Sequence, residues 1–287
     1  MKERSVVIGA GVMGRGIAYV SAIGGYQVSL VDVSEEVLQN AEREVHSNFE
    51  KGIQRGKLRR EDAEQAMQRM KFNTDFTEVA KEADLIIEAV PEKRELKKSI
   101  FETLDKFASD KCILATNTST MSPTEIGSFT SRPSSVIAMH FFNPVHKMPL
   151  VEIIRGMETS DETVQYVESA ANKMGKQTVI VNEFPGFVTS RISCLVGNEA
   201  FHMLQEGVAT AEDIDKAVKL GLNFPMGPLE LADLVGLDAR LNNLRYLHGQ
   251  LGEKYRPAPL LEKYVKAGRL GRKSGIGVYD YSKKESE

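Results

Sequence analysis

From residue 5 to about residue 183, short apolar runs alternate with helical patterns. Segments 5–9, 27–32, 84–89, 112–116, 136–141, 150–154 and 178–182 are rich in β-branched residues and predict strands. After the second of them, Leu38, Ala41, Val45 and Phe49 recur at spacings of 3, 4 and 4, the stripe of an amphipathic helix turned toward a core. Strands and helices in alternation imply βαβ units and a mostly parallel sheet. The run from Ser47 to Arg69 is polar and charge-rich without strand character, and predicts a helical excursion off that sheet.

Beyond Pro185–Gly186 the texture changes. Val188 to Leu204 is apolar nearly all round, which predicts a buried helix, and helical patterns follow at 211–220, 228–235, 237–251 and 259–267. Pro225, Gly227 and Pro228 predict a turn, and 268–287 an irregular tail. The expectation is a sheet domain over residues 1–184 and an all-helical C-terminal domain over 185–287, with no internal repeat and no low-complexity segment.

Length agrees: 287 residues, at ~150 per domain, make about two domains. With 37 Lys and Arg against 40 Asp and Glu, and 41% hydrophobic residues, the composition excludes a disordered chain and a broadly basic nucleic-acid binder. Cys112 and Cys194 sit in apolar segments without Cys/Cys or Cys/His ligand spacing, so neither a disulfide framework nor a metal site is expected. No apolar run approaches the ~20 residues of a membrane span. Met1–Arg4 carries no targeting pattern, so a cytoplasmic protein is expected, although an organellar form trimmed from a longer precursor would look the same.

The chemistry begins at the first strand. Gly9-Ala10-Gly11-Val12-Met13-Gly14 follows it directly and opens a helix of small and apolar residues, and the second strand ends in Asp32, 18 residues after Gly14. In that context GxGxxG is a dinucleotide fingerprint: Gly9 for the tight turn, Gly11 for approach of a pyrophosphate, Gly14 for close helix packing, and Asp32 for a ribose hydroxyl. The sheet domain is thus expected to be Rossmann-like. A carboxylate at the ribose would repel a 2′-phosphate, and residues 33–36 supply no Arg or Lys, so the expected cofactor is NAD rather than NADP. Leu270–Gly275 evokes a phosphate-binding loop but lacks its spacing and follows a helix.

An alcohol-oxidising NAD enzyme needs a base, a group that orients it, and donors for the oxygen. Strand ends supply candidates at Thr116-Asn117-Thr118-Ser119 and at His140-Phe141-Phe142-Asn143-Pro144, because residues past the carboxyl ends of parallel strands converge on the cofactor crevice. His140 alone of five histidines has such a place, and Glu152, twelve residues on, can accept from its other ring nitrogen.

VIGAGVMGRGIA, IIEAVPE, NTST, HFFNP followed by PLVEI, NFPMGPLEL and GRKSGIGVYDY, in this order, resemble the 3-hydroxyacyl-CoA dehydrogenase family, and most of all its single-function bacterial 3-hydroxybutyryl-CoA branch, over nearly the whole chain. The resemblance implies hydride exchange between NAD and a short-chain (S)-3-hydroxyacyl-CoA, and a homodimer formed through the helical domain. It implies a catalytic dyad of His140 and Glu152, and Ser119 in contact with substrate and nicotinamide. It also implies cofactor-side roles for Glu92, Lys97, Asn143 and Lys273, of which Lys97 and Lys273 would otherwise be solvated surface charges. Where the family writes asparagine in Gly-Phe-Val-x-Asn-Arg this chain has Ser190, a shorter donor at a position the family uses catalytically.

Lys51 and Arg55, one helical turn apart in a basic cluster, match the family's contacts to the coenzyme A arm, although Glu61, Asp62 and Glu64 follow and a mixed charged helix can be a solvated face. Two alternatives stand beside this reading: an NAD-dependent dehydrogenase of free hydroxy or sugar acids, and a non-catalytic NAD-binding protein.

Overall fold

The computed structural model describes residues 3–282; Met1 and Lys2, and the last five residues of the predicted tail, lie outside the described residues. The chain divides into two compact units, Met1–Glu183 and Phe184–Glu287.

The first unit is built on eight strands: β1 (Arg4–Ile8), β2 (Gln27–Val31), β3 (Met70–Asn73), β4 (Leu85–Glu88), β5 (Ile113–Thr116), β6 (Val136–Phe141), β7 (Leu150–Arg155) and β8 (Gln177–Asn182). They form one sheet in the order β3-β2-β1-β4-β5-β6-β7-β8, parallel throughout except between β6 and β7. The strand order reverses at β1 and β4, and the crevice beyond the carboxyl ends of those two strands is where such sheets bind ligands. Successive residues serve opposite cores: Val7, Leu85 and Ile87 face one, Val6, Ile8 and Ile86 the other. A sheet covered on both faces explains why its central strands are continuous apolar runs.

α1 (Val12–Ile23), α2 (Glu35–Gln54), α3 (Arg60–Gln68), α4 (Thr77–Ala80), α5 (Arg94–Phe107), α6 (Pro123–Gly127) and α7 (Asp161–Lys173) complete this unit. α2 begins where Ser34 Oγ accepts from Val37 N, with Glu35 and Glu36 in its first turn and the predicted stripe Leu38, Ala41, Val45, Phe49 buried. The charged excursion is the end of α2 and the whole of α3. β3 corrects the sequence expectation, which had no strand there. It is a four-residue edge strand in which only Met70 and Phe72 pack on the core, too little apolar pattern to stand out from the charged stretch before it.

The second unit contains α8 (Thr189–Glu206), α9 (Ala211–Gly221), α10 (Pro228–Val235), α11 (Leu237–Leu251) and α12 (Pro259–Lys266) around a core that includes Phe201, Leu229, Leu244 and Tyr255. α8 is not buried all round as its composition suggested: Cys194, Gly197, Ala200 and Phe201 face the core, while Ile192 is 56% exposed. The predicted irregular tail is held by two buried aspartates. Asp215 accepts from Leu229 N, Glu230 N and Tyr279 Oη, and Asp233 from Val278 N, Tyr279 N and Tyr281 Oη. Among the described residues no helix is long and apolar enough to cross a membrane.

Candidate active site

The glycine turn after β1 is built for close approach. Gly9 has φ +100°, and a Cβ there would lie 2.8 Å from the Ala89 carbonyl oxygen. A Cβ on Gly14 would lie 1.7 Å from the Gly9 carbonyl oxygen, so α1 can pack on the turn only without a side chain at that position. Gly11 caps α1, and where its Cβ would stand there is nothing within 4 Å. The N-terminus of α1 has no side-chain cap and no acidic residue in its first turn, which suits an anion.

Asp32, just past β2, is fastened to this turn: its carboxylate accepts from Ala10 N at 2.9 Å and Ser34 N at 3.1 Å. Two N–H groups orient it while its remaining lone pairs can take hydroxyl donors. The open helix end, the bare Gly11 and this anchored carboxylate fit NAD, with the pyrophosphate on α1 and a ribose at Asp32.

His140 and Glu152 are directly opposed in the antiparallel β6–β7 ladder. Facing residues of such a ladder project to the same side of the sheet, so the register itself makes the pair. His140 Nδ1 lies 2.8 Å from Glu152 Oε2, with His140 8% exposed and Glu152 fully buried. A carboxylate is acceptor-only, so Nδ1 carries the proton toward Glu152 and the basic lone pair belongs to Nε2. The His140 ring packs on Phe142 with centroids 4.5 Å apart, and Asn117 Oδ1 accepts from Phe141 N, tying the end of β5 to the end of β6.

Behind the β4 and β5 ends lies a cluster that sequence reasoning found only in part. Lys97 is fully buried, which overturns the alternative of a solvated surface charge. Its Nζ lies 2.8 Å from Glu88 Oε2, 2.9 Å from Glu92 Oε2 and 3.3 Å from Thr116 Oγ1, and Thr116 Oγ1 donates to Glu88 at 2.7 Å. Glu92 Oε1 accepts from Thr118 Oγ1, from Thr120 Oγ1 and from the backbone N–H groups of Ser119 and Thr120. Burial works to raise the Glu92 carboxyl, but the Lys97 charge and these donors outweigh it and hold it below its ordinary value. The Ser119 loop is thus anchored through Glu92 to Lys97. Thr116 and Asn117 lie in a strand end that the sequence offered, and Glu88 is the participant it did not single out; the available signal was a glutamate closing an otherwise apolar strand.

The remaining candidates belong to other elements. Asn143 precedes Pro144 across a cis peptide in the loop after β6. Lys51 sits in the last turn of α2 and Arg55 caps it; both are exposed and neither has a carboxylate partner among the described residues. Tyr19 packs on Phe49 of α2 and, at 6.2 Å between centroids, on His146. Burial lowers the His146 imidazole, and Lys147, Lys176, Lys57 and Arg55 lower it further, so this end of α2 carries a concentrated positive field. Ser190 and Lys273 belong to the second unit. Ser190 is in the first turn of α8, half-buried, and Lys273 Nζ pairs with Asp238 at 2.5 Å.

Comparison with known proteins places residues 5–184 on the NAD-binding domain of 3-hydroxyacyl-CoA dehydrogenase and residues 186–281 on its C-terminal domain. A probable 3-hydroxybutyryl-CoA dehydrogenase of Bacillus subtilis is 46% identical over 285 residues, covering 99% of each chain. The 3-hydroxybutyryl-CoA dehydrogenase of Bradyrhizobium diazoefficiens is 43% identical, covering 96% of this chain and 94% of that one. The crystal structure of (S)-3-hydroxybutyryl-CoA dehydrogenase from Ralstonia eutropha superposes with a TM-score of 0.94 at 43% identity, covering 99% of this chain and 100% of that one.

Proposed function

The chain belongs to the 3-hydroxyacyl-CoA dehydrogenase family, and from that premise we propose that it interconverts (S)-3-hydroxybutyryl-CoA and acetoacetyl-CoA with NAD. The observation that carries the proposal is the His140–Glu152 pair at the carboxyl end of β6, on the sheet that also bears the glycine turn. In the oxidative direction His140 Nε2 takes the proton of the C3 hydroxyl, and Glu152, accepting from Nδ1–H, holds the ring and stabilises the imidazolium. The α1 N-terminus and Asp32 would hold NAD, which when bound would supply the hydride acceptor. Ser119 donates to a substrate oxygen from a loop that Glu92 holds, and the Ser190 hydroxyl serves where the family carries an amide. In reduction the same imidazolium returns its proton to the oxygen.

The test is NADH oxidation with acetoacetyl-CoA beside free acetoacetate. Turnover with the thioester alone is expected. Turnover with the free acid would favour the hydroxy-acid reading, and NADH binding without turnover of either would favour the non-catalytic one.

The cofactor assignment has its own consequence. Because the Asp32 carboxylate occupies the ribose end, kcat/KM should be at least about tenfold higher with NADH than with NADPH, a difference near 1.4 kcal/mol. Parity between the two would remove Asp32 from this role. The positive end of α2 serves the coenzyme A phosphates. Lys51→Ala/Arg55→Ala should raise KM for acetoacetyl-CoA severalfold at low salt and much less in 1 M salt, where screening acts over about 3 Å. An unchanged KM at low salt would return these residues to a solvated face.

A cytoplasmic location and a homodimer formed through the second unit complete the proposal. Exposed Ile192, Leu220, Leu222, Leu234 and Val235 support the second of these.

A further inference from the structure

Lys176, between α7 and β8, is 7% exposed, and among the described residues no carboxylate pairs with it. Its Nζ donates to the Val145 carbonyl and, at 2.9 Å, to the Met148 carbonyl. Burial lowers its pKa from the ordinary lysine value, the sign of an ammonium held against a solvation cost. An apolar side chain would fill the same space without that cost, but it would leave both carbonyls without this donor.

The two carbonyls belong to the loop that joins β6 to β7, and so joins the strand of His140 to the strand of Glu152. Within that loop Lys147 N and Met148 N both donate to the Pro144 carbonyl, which closes residues 144–148 into a turn. Gln177 N holds the Pro149 carbonyl, so residues 176 and 177 together grip the loop at three carbonyls. The grip seats the loop on α1. Val145 is 2% exposed, and a Cβ on Gly16 would lie 2.9 Å from Val145 Cβ, so the loop occupies the place of a side chain that α1 lacks. Gly16 stands five residues past the Gly11 cap, about 7.5 Å along the helix from the end that suits a pyrophosphate. His146 adds a second contact to the same helix through Tyr19. One loop thus touches the helix of the dinucleotide turn, carries Asn143 and leads into the strand of Glu152.

We propose that Lys176 is a positioning residue for hydride transfer: through the Val145 and Met148 carbonyls it seats the β6–β7 loop on α1, and that seat fixes the spacing between the cofactor helix and the His140–Glu152 ladder. This rests on the NAD-dependent reading above. His140 and Glu152 are joined by their own register, and Asp32 is oriented by two N–H groups, so what Lys176 governs is the placement of one site against the other. A misplacement of about 1 Å between reacting groups can cost about 10²-fold in rate.

The test joins two readouts on Lys176→Met. Hydrogen exchange at Lys147 and Met148 should become at least about tenfold faster, with or without NADH, while the β1 and β2 amides keep their protection. The single-turnover rate of hydride transfer from NADH to acetoacetyl-CoA should fall at least about tenfold, with NADH affinity by fluorescence titration within about threefold of wild type. A merely weakened fold lowers the number of NADH sites and leaves that rate constant unchanged. Lys176→Gln, which keeps a donor group on a shorter side chain, should fall between Lys176→Met and wild type. Gly16→Ala forces Val145 off α1 with Lys176 in place, so it should slow the same step, and it carries the test if Lys176→Met does not fold. Unchanged loop exchange in Lys176→Met, or an unchanged single-turnover rate in either folded variant, would overturn the role. Wild-type protein that binds NADH and transfers no hydride to acetoacetyl-CoA would remove the activity itself, whereas wild-type transfer with unaffected variants removes the Lys176 role alone.

Discussion

His140→Ala should lower kcat by roughly 10²–10⁴-fold, the usual worth of a positioned general acid–base group, while leaving NADH affinity within about twofold. The separation is geometric. The glycine turn and Asp32 lie beyond β1 and β2, whereas His140 is the next-to-last residue of β6, four strands from β2 in the sheet order. Glu152→Gln should cost less than His140→Ala, because the amide keeps the shape beside Nδ1 but no longer balances the imidazolium charge. The double variant should be no slower than His140→Ala alone, since the two residues act as a unit. Steady-state kcat and fluorescence titration of NADH check all three. A fully active, folded His140→Ala protein would remove the pair from the mechanism.

That pair shows how far the sequence could be followed. His140 was legible from its place at the end of an apolar strand, and Glu152 from its distance along the chain. The one-to-one register that joins them was not, because twelve residues are compatible with many returns and the antiparallel step between β6 and β7 is a property of the assembled sheet. The central strands were legible because burial on both faces makes them apolar without interruption, whereas β3, at the edge, needs only two apolar contacts and was lost in its charged surroundings. Lys97 is the sharpest case. In Lys93-Arg94-Glu95-Leu96-Lys97-Lys98 every charge looks solvated, and only the docking of α5 separates fully buried Lys97 from its half-buried neighbour Lys98.

Lys97→Met should be the most destabilising of the substitutions considered for this molecule. It leaves Glu88 fully buried, and Glu92, whose side chain is a third exposed, with no cation between them, and breaking the buried Lys97–Glu88 pair from one side costs about 3–5 kcal/mol. At about 2–4 °C per kcal/mol for a chain of this size, Tm should fall by roughly 10 °C. Replacing Glu88 by Gln in the same molecule should recover part of the loss, because it removes one of the two stranded charges. The pH dependence follows from Glu92, whose carboxyl is held below its ordinary value in the folded protein. A group depressed in this way stabilises the fold above its unfolded pKa, and that contribution is lost as pH falls through the folded one. Without Lys97 the raising effect of burial prevails, Glu92 takes up its proton at higher pH, and the gap between variant and wild type narrows on acidification. Thermal unfolding at pH 7 and at pH 4.5 measures both the deficit and its narrowing. A Tm within about 2 °C of wild type at neutral pH would mean that the cluster draws in water or rearranges, and that Lys97 does not hold the Ser119 loop through Glu92.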